Sequence, residues 1–139
     1  MSEIVFALTV MALFLKMFVI AGVQGINRMQ SGVMVRPEDA AYFVKQAPAA
    51  AELPIVDRAQ STLRNDLENI PIFLFLMLAY MQLNGPPMPL AIYAAVFVLA
   101  RCGHSYFYLR PRQPHRNRLY LVGIAVDFVL CGHLFWLMV

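Results

Sequence analysis

The sequence predicts an all-α integral membrane protein, a four-helix up-and-down bundle. Three observations point there. Of the 139 residues, 60% are hydrophobic and 14% charged, and the mean hydropathy is +0.63, more apolar than a soluble domain of this length carries. The apolar residues gather in four runs of roughly 20 residues, the length of one membrane crossing. The basic residues collect in two of the three connections, which leaves one domain over residues 1–139 with little chain outside the bilayer.

The first run, residues 4–23, is interrupted only by Lys16. Acidic Glu3 precedes it and the apolar stretch outlasts that of a cleavable leader, so a retained span is expected over about residues 4–26. The polar stretch that follows, about 29–55, forms the one sizeable loop. Arg36-Pro37-Glu38-Asp39-Ala40 starts a helix within it, since proline suits the first turn and acids suit the positive end of the helix dipole. Residues 47–54, rich in Ala and Pro, are expected to be loose.

The second span, about 56–83, enters the bilayer near Asn69, and Pro71 should kink it one turn beyond Glu68. Asn84-Gly85-Pro86-Pro87 is a tight, uncharged turn. A third span, about 88–110, carries Arg101 and His104. A cationic loop over residues 110–118 leads to the fourth, about 117–139, with Asp127 and His133. Cys102 and Cys131 lie in apolar runs and are expected to be buried small residues.

Loop charge orients the chain. The first connection holds Arg28, Arg36, Lys45, Arg58 and Arg64, the last holds Arg110, Arg112, Arg116 and Arg118, and the middle one has no Lys or Arg. Both basic connections are therefore expected on the cytosolic side, with both termini on the other. The net charge of +3 is accounted for by this topology, so no nucleic-acid partner is expected.

That topology brings polar residues from all four spans to one depth: Arg28 on the first, Arg64, Asn65 and Glu68 on the second, His104 and Tyr108 on the third, Arg116 and Tyr120 on the fourth. Arg64, Asn65 and Glu68 share one sector of a helix, where Arg64 and Glu68 can pair. Arg101, His104 and Tyr108 form one stripe. Snorkelling arginines, interfacial tyrosines and a hydrogen-bonded membrane histidine each explain one such residue. They do not explain the coincidence of Asn65, Glu68 and His104 at the level of four arginines. The set reads as a polar pocket for a zwitterionic small molecule beside a lipid-soluble one. No metal site is expected, since His104, His115 and His133 lack ligand spacing.

Four motifs in order carry a resemblance: Arg36-Pro37-Glu38-Asp39-Ala40, Arg64-Asn65-Asp66-Leu67-Glu68-Asn69-Ile70, Ala100-Arg101-Cys102-Gly103-His104 through Tyr108, and Gln113-Pro114-His115-Arg116. Together they resemble the MAPEG family of membrane proteins in eicosanoid and glutathione metabolism, in its transferase and prostaglandin-synthase branch. The resemblance implies a homotrimer of four-helix subunits that binds glutathione between neighbours in the cytosolic half of the membrane. It implies that Arg64, Asn65, Glu68, His104, Tyr108, Arg116 and Tyr120 contact glutathione, and that Arg28 reaches in from the adjacent subunit. Asn117, where the prostaglandin synthase has a serine, completes the cofactor-binding set, and Arg116 matches the catalytic arginine that holds the thiolate. The chemistry agrees: arginines pair with the tripeptide's carboxylates, Glu68 takes its ammonium, and a guanidinium favours a thiolate.

Ser61 replaces an arginine of the synthase, and Pro71 comes one residue early. Asp127 matches no family motif and is expected to pair with Lys16 or Arg101, because an unpaired charge at mid-membrane is costly. The expected activity is a glutathione transferase or peroxidase acting on lipophilic substrates in the bilayer of a bacterial inner membrane or endoplasmic reticulum. The alternatives are an endoperoxide isomerase of the prostaglandin E synthase kind and a non-catalytic membrane scaffold.

Overall fold

A computed structural model describes residues 1–139. It is all helical: α1 (Ser2–Ser31), α2 (Pro37–Asp39, continued by a π-helical turn, Ala40–Val44), α3 (Pro54–Gln82), α4 (Pro87–Leu109) and α5 (His115–Met138). Three of them, α1, α4 and α5, are long and apolar enough to cross a membrane. α3 has the length, but the polar stretch from Arg64 to Asn69 lowers its hydropathy.

Local chemistry sets the ends. α1 runs through Gln24–Arg28, beyond the expected end of the first span, and stops where Gly32 takes the left-handed conformation (φ 67°) and donates its N–H to the Arg28 carbonyl at 2.9 Å. Pro37, Pro54 and Pro87 each open a helix, where a missing N–H costs nothing. Lys45 to Leu53 has no regular structure, in keeping with its Ala/Pro content, and is tied back by Ala49 N–H donating to Met34 O at 2.8 Å. α3 continues through Pro71, whose ring removes the N–H that would otherwise reach the Leu67 carbonyl.

α3 and α4 are central, and each packs on both α1 and α5. Their apposed pairs run in opposite senses: Asp66 meets Arg101 and Phe73 stacks on Phe97, with ring centroids 3.8 Å apart. The core around that stack includes Leu13 from α1, Met77 and Tyr80 from α3, Leu90 from α4 and Leu130 from α5, all at most 1% exposed. In lipid such a core is held by close packing rather than by exclusion of water, and a stacked pair adds about 0.5–1.5 kcal/mol. Phe14, Phe18, Phe128 and Trp136 point outward from α1 and α5.

Three expectations are corrected. Cys102 and Cys131 are free thiols on the outer surface, because their helices turn other residues inward. The cationic loop over 110–118 is shorter than expected: α5 begins at His115, so Arg116, Asn117 and Arg118 lie in its first turn. Arg64 and Glu68 are both exposed and form no ion pair.

Candidate active site

The site is built around one turn of α3. Asp66 is fully buried (0% exposed) between two cations from other helices. Lys16 of α1 pairs with its Oδ2. Arg101 of α4, also fully buried, donates to its Oδ1 from Nη2 at 2.5 Å and from Nε at 3.2 Å. The same Nη2 donates to Asn65 Oδ1 at 2.6 Å. Removal of three charges from water is costly, and only the mutual pairing offsets it. The ionic cluster thereby pins α1, α3 and α4 at one depth and fixes the Asn65 carboxamide, with its oxygen committed and its amino group free.

Asn65 forms one wall of a polar cleft of about 180 Å³, closed by His104 and Tyr108 of α4 and by Arg116, Asn117 and Tyr120 of α5. The Arg116 guanidinium lies over the Tyr108 ring, Cζ 4.5 Å from the centroid, a cation–π contact. The Gln113 amide, oriented with its oxygen toward Arg116, accepts from Nε at 3.1 Å and from Nη2 at 2.6 Å. The His104 ring sits 5.6 Å from Tyr108 and 6.1 Å from Tyr120, centroid to centroid, and its buried Nδ1 has no partner in the chain. Arg116 stands in the first turn of α5, where the helix dipole adds to its positive field. The cleft is thus positively charged and edged by two phenols.

Six of the nine residues expected from the sequence therefore meet: Asn65, His104, Tyr108, Arg116, Asn117 and Tyr120. Three do not. Arg64 and Glu68 lie on the outer face of α3. Arg28 is in a separate cleft with Arg36, Asp39, Glu52 and Gln60, and its Nε donates to Glu52 Oε2 at 2.9 Å.

The expected pairing of Asp127 is overturned. Lys16 and Arg101 are both taken by Asp66, and Asp127 Oδ1 is buried without a partner. The sequence signal was present: a cation inside an apolar run needs an acid at its own depth, and Asp66 was available. Arg101 is buried on α4 together with His104, but its guanidinium is engaged by Asp66 and Asn65 and does not line the cleft. Gln113, the orienting partner of Arg116, carried no signal beyond its place in the motif. His133 stands apart, with Nδ1 3.0 Å from the Tyr93 hydroxyl near the α3–α4 turn.

Membrane-length apolar helices around a buried ionic cluster, with a cationic cleft at one end, define an integral membrane protein with an internal polar site. The model of the MAPEG family matches residues 6–136, and the chain belongs to that family. It is similar to microsomal glutathione S-transferase 1 of Rattus norvegicus, at 36% identity over 96% of this chain and 90% of the relative. The Homo sapiens protein of that name is 35% identical over 86% of this chain and 79% of its own. Prostaglandin E synthase of Homo sapiens is 33% identical over 80% and 73%, respectively.

Proposed function

We propose that the chain is a glutathione-dependent membrane enzyme, a transferase or peroxidase for lipophilic substrates. The observation that carries this reading is the Arg116 guanidinium, held over Tyr108 and by Gln113 at the edge of a cleft shared by three helices. The names of the relatives support glutathione as cosubstrate.

Bound glutathione supplies the nucleophile: its thiolate sulfur bonds to an electrophilic carbon as the leaving group departs with its electron pair, or to a peroxide oxygen as the O–O bond breaks. Arg116 holds that sulfur in its ionised form, and the thiol proton leaves through the open side of the cleft. Tyr120, one turn along α5, donates a second hydrogen bond to the sulfur. Asn65, His104, Tyr108 and Asn117 position the peptide.

The assembly belongs to the same reading. A cleft of about 180 Å³ is smaller than the roughly 300 Å³ or more of a usual small-molecule site, so one chain supplies one wall. In a homotrimer the neighbour brings Arg28 to complete it, and Arg64 and Glu68 on the outer face of α3 meet the peptide's carboxylate and ammonium there. Each subunit then crosses the membrane four times, with both basic connections cytosolic.

The test is direct. Addition of glutathione to the purified protein should produce the ultraviolet absorbance of a thiolate, and Arg116→Ala should abolish it. Absorbance retained by Arg116→Ala overturns the assignment. Likeness to prostaglandin E synthase supports a second reading, isomerisation of an endoperoxide. Turnover of an endoperoxide in preference to aryl halides and hydroperoxides would select it.

A further inference from the structure

The connection between α1 and α3 carries a second polar cleft, of about 240 Å³, whose charged lining is Arg28, Arg36, Asp39 and Glu52. Residues 45–53 have no regular structure, yet two contacts tie them to the end of α1 and the segment after it. Ala49 N–H donates to Met34 O at 2.8 Å, and Arg28 pairs with Glu52.

Glu52 uses its two oxygens differently. Oε1 accepts the Leu53 N–H at 3.2 Å, immediately before α3 begins at Pro54, where the helix dipole favours an acid. Oε2 accepts from Arg28 Nε at 2.9 Å and also from Nη2. The carboxylate thereby joins the last turn of α1 to the start of α3.

That contact takes one edge of the guanidinium and leaves the other. Arg28 presents five N–H groups in a planar fork. The side edge, Nε with one hydrogen of Nη2, is given to Glu52, and Nη1 makes no hydrogen bond in the chain. Arg28 is only partly buried, and its Nη1, unlike that of Arg101, is open to the surface. An open guanidinium edge can take a second carboxylate through two parallel hydrogen bonds. A fork whose plane is already fixed loses less rotamer freedom when it does so.

We infer that Glu52 is a positioning residue: it holds Arg28 by the side edge, so that the terminal edge meets a carboxylate of the tripeptide bound at the neighbouring chain's cleft. The inference rests on the proposed reading in which Arg28 completes that site in a trimer. Glu52 itself does not touch the peptide. Its charge opposes the incoming carboxylate, whereas the geometry it imposes on Arg28 favours it, so the two effects have opposite signs when Glu52 is removed.

Glutathione titrations into the purified full chain in detergent separate them. The chains compared are the wild type, Glu52→Gln, Glu52→Ala, Arg28→Ala, and Arg28→Ala combined with each change at Glu52. Glu52→Ala should weaken glutathione binding about tenfold, the cost of ordering one long side chain on binding. Glu52→Gln, whose carbonyl can still accept from Arg28, should fall between Glu52→Ala and the wild type. In turnover of an aryl halide, Glu52→Ala should raise the KM for glutathione and leave kcat unchanged. Once Arg28 is alanine, neither change at Glu52 should alter the affinity further.

Tighter binding by Glu52→Ala and Glu52→Gln would make the carboxylate a competitor for Arg28 and overturn the inference, as would unchanged affinity. An equal loss with and without Arg28 gives Glu52 to the fold of the connection alone and overturns it too. If Glu52→Ala does not fold, Glu52→Gln decides: weakening that requires Arg28 supports the inference, and wild-type affinity overturns it. Wild-type affinity in Arg28→Ala removes Arg28 from the site and takes the inference with it. A loss in Arg28→Ala without one in Glu52→Ala leaves the reading of Arg28 intact and overturns the inference alone.

Discussion

Asp66 and Glu68 are two residues apart on α3 and have opposite surroundings. A step of two turns a helix by about 200°, so the first acid faces Lys16 and Arg101 while the second faces away from the chain. Asp66→Ala should therefore cost about 3–5 kcal/mol, because it strands two buried cations. Glu68→Ala should change stability by about 0.5 kcal/mol or less while weakening glutathione binding. Unfolding midpoints in detergent, with a calorimetric titration of each variant, check both halves. Asp66→Ala should also lower glutathione affinity through Asn65, whose carboxamide loses the Arg101 that orients it. Rescue by Asp66→Glu of the midpoint but not of the affinity would identify positioning as the residue's role at the site.

Among the helices, the α3–α4 turn has the least slack. Asn84 takes φ 55°, and a Cβ on Gly85 would lie 2.3 Å from the Tyr80 ring. That ring is fully buried, its hydroxyl donates to the Pro86 carbonyl at 3.3 Å, and its centroid is 5.0 Å from that of His133. Gly85→Ala must displace all of this and should cost about 1–3 kcal/mol, as overpacking does, again read as an unfolding midpoint. Gly22→Ala is the control. Its Cβ would meet nothing within 4 Å, and a helical glycine replaced by alanine should gain up to about 1 kcal/mol. At the other end of α4, a Cβ on Gly103 would approach Leu119 Cδ1 to 2.7 Å, so α4 and α5 come close where the cleft needs both. The Asn84-Gly85-Pro86-Pro87 turn and the Pro37 helix start could be read from residue type, because each rests on the chemistry of one or two residues. The start of α5 could not, since no side-chain cap marks His115.

At the scale of the molecule, the separation of Arg28 from Arg116 is the informative feature. Within one chain Arg28 is held by Glu52 in a different cleft, yet the proposed site needs it beside glutathione from the adjacent subunit. Coexpression of Arg28→Ala and Arg116→Ala chains should then restore part of the activity that each lacks alone, since some interfaces pair an intact Arg28 with an intact Arg116. Complete absence of recovery, with mixed trimers present by native mass spectrometry, would place a whole site inside one chain. The outer face of α1, with Phe14 and Phe18, and that of α5, with Phe128 and Trp136, carry the apolar area that lipid or neighbouring chains cover.

By itself the sequence determined the membrane class, the order and approximate bounds of the long helices, and the residues that could form a polar site. Those follow from hydropathy, turn chemistry and motif order, which are local along the chain. It did not determine which cation met which acid. Sequence reasoning pairs Asp127 with Lys16 or Arg101 and gives Asp66 no partner, whereas the actual choice depends on helix rotation and depth, set by packing such as the Phe73–Phe97 stack. Only the tertiary structure put Asp66 at the centre of an ionic cluster and left Asp127 without a partner. Charge pairing in a low-dielectric interior is decided by a few ångströms of approach, and residue order does not encode those distances.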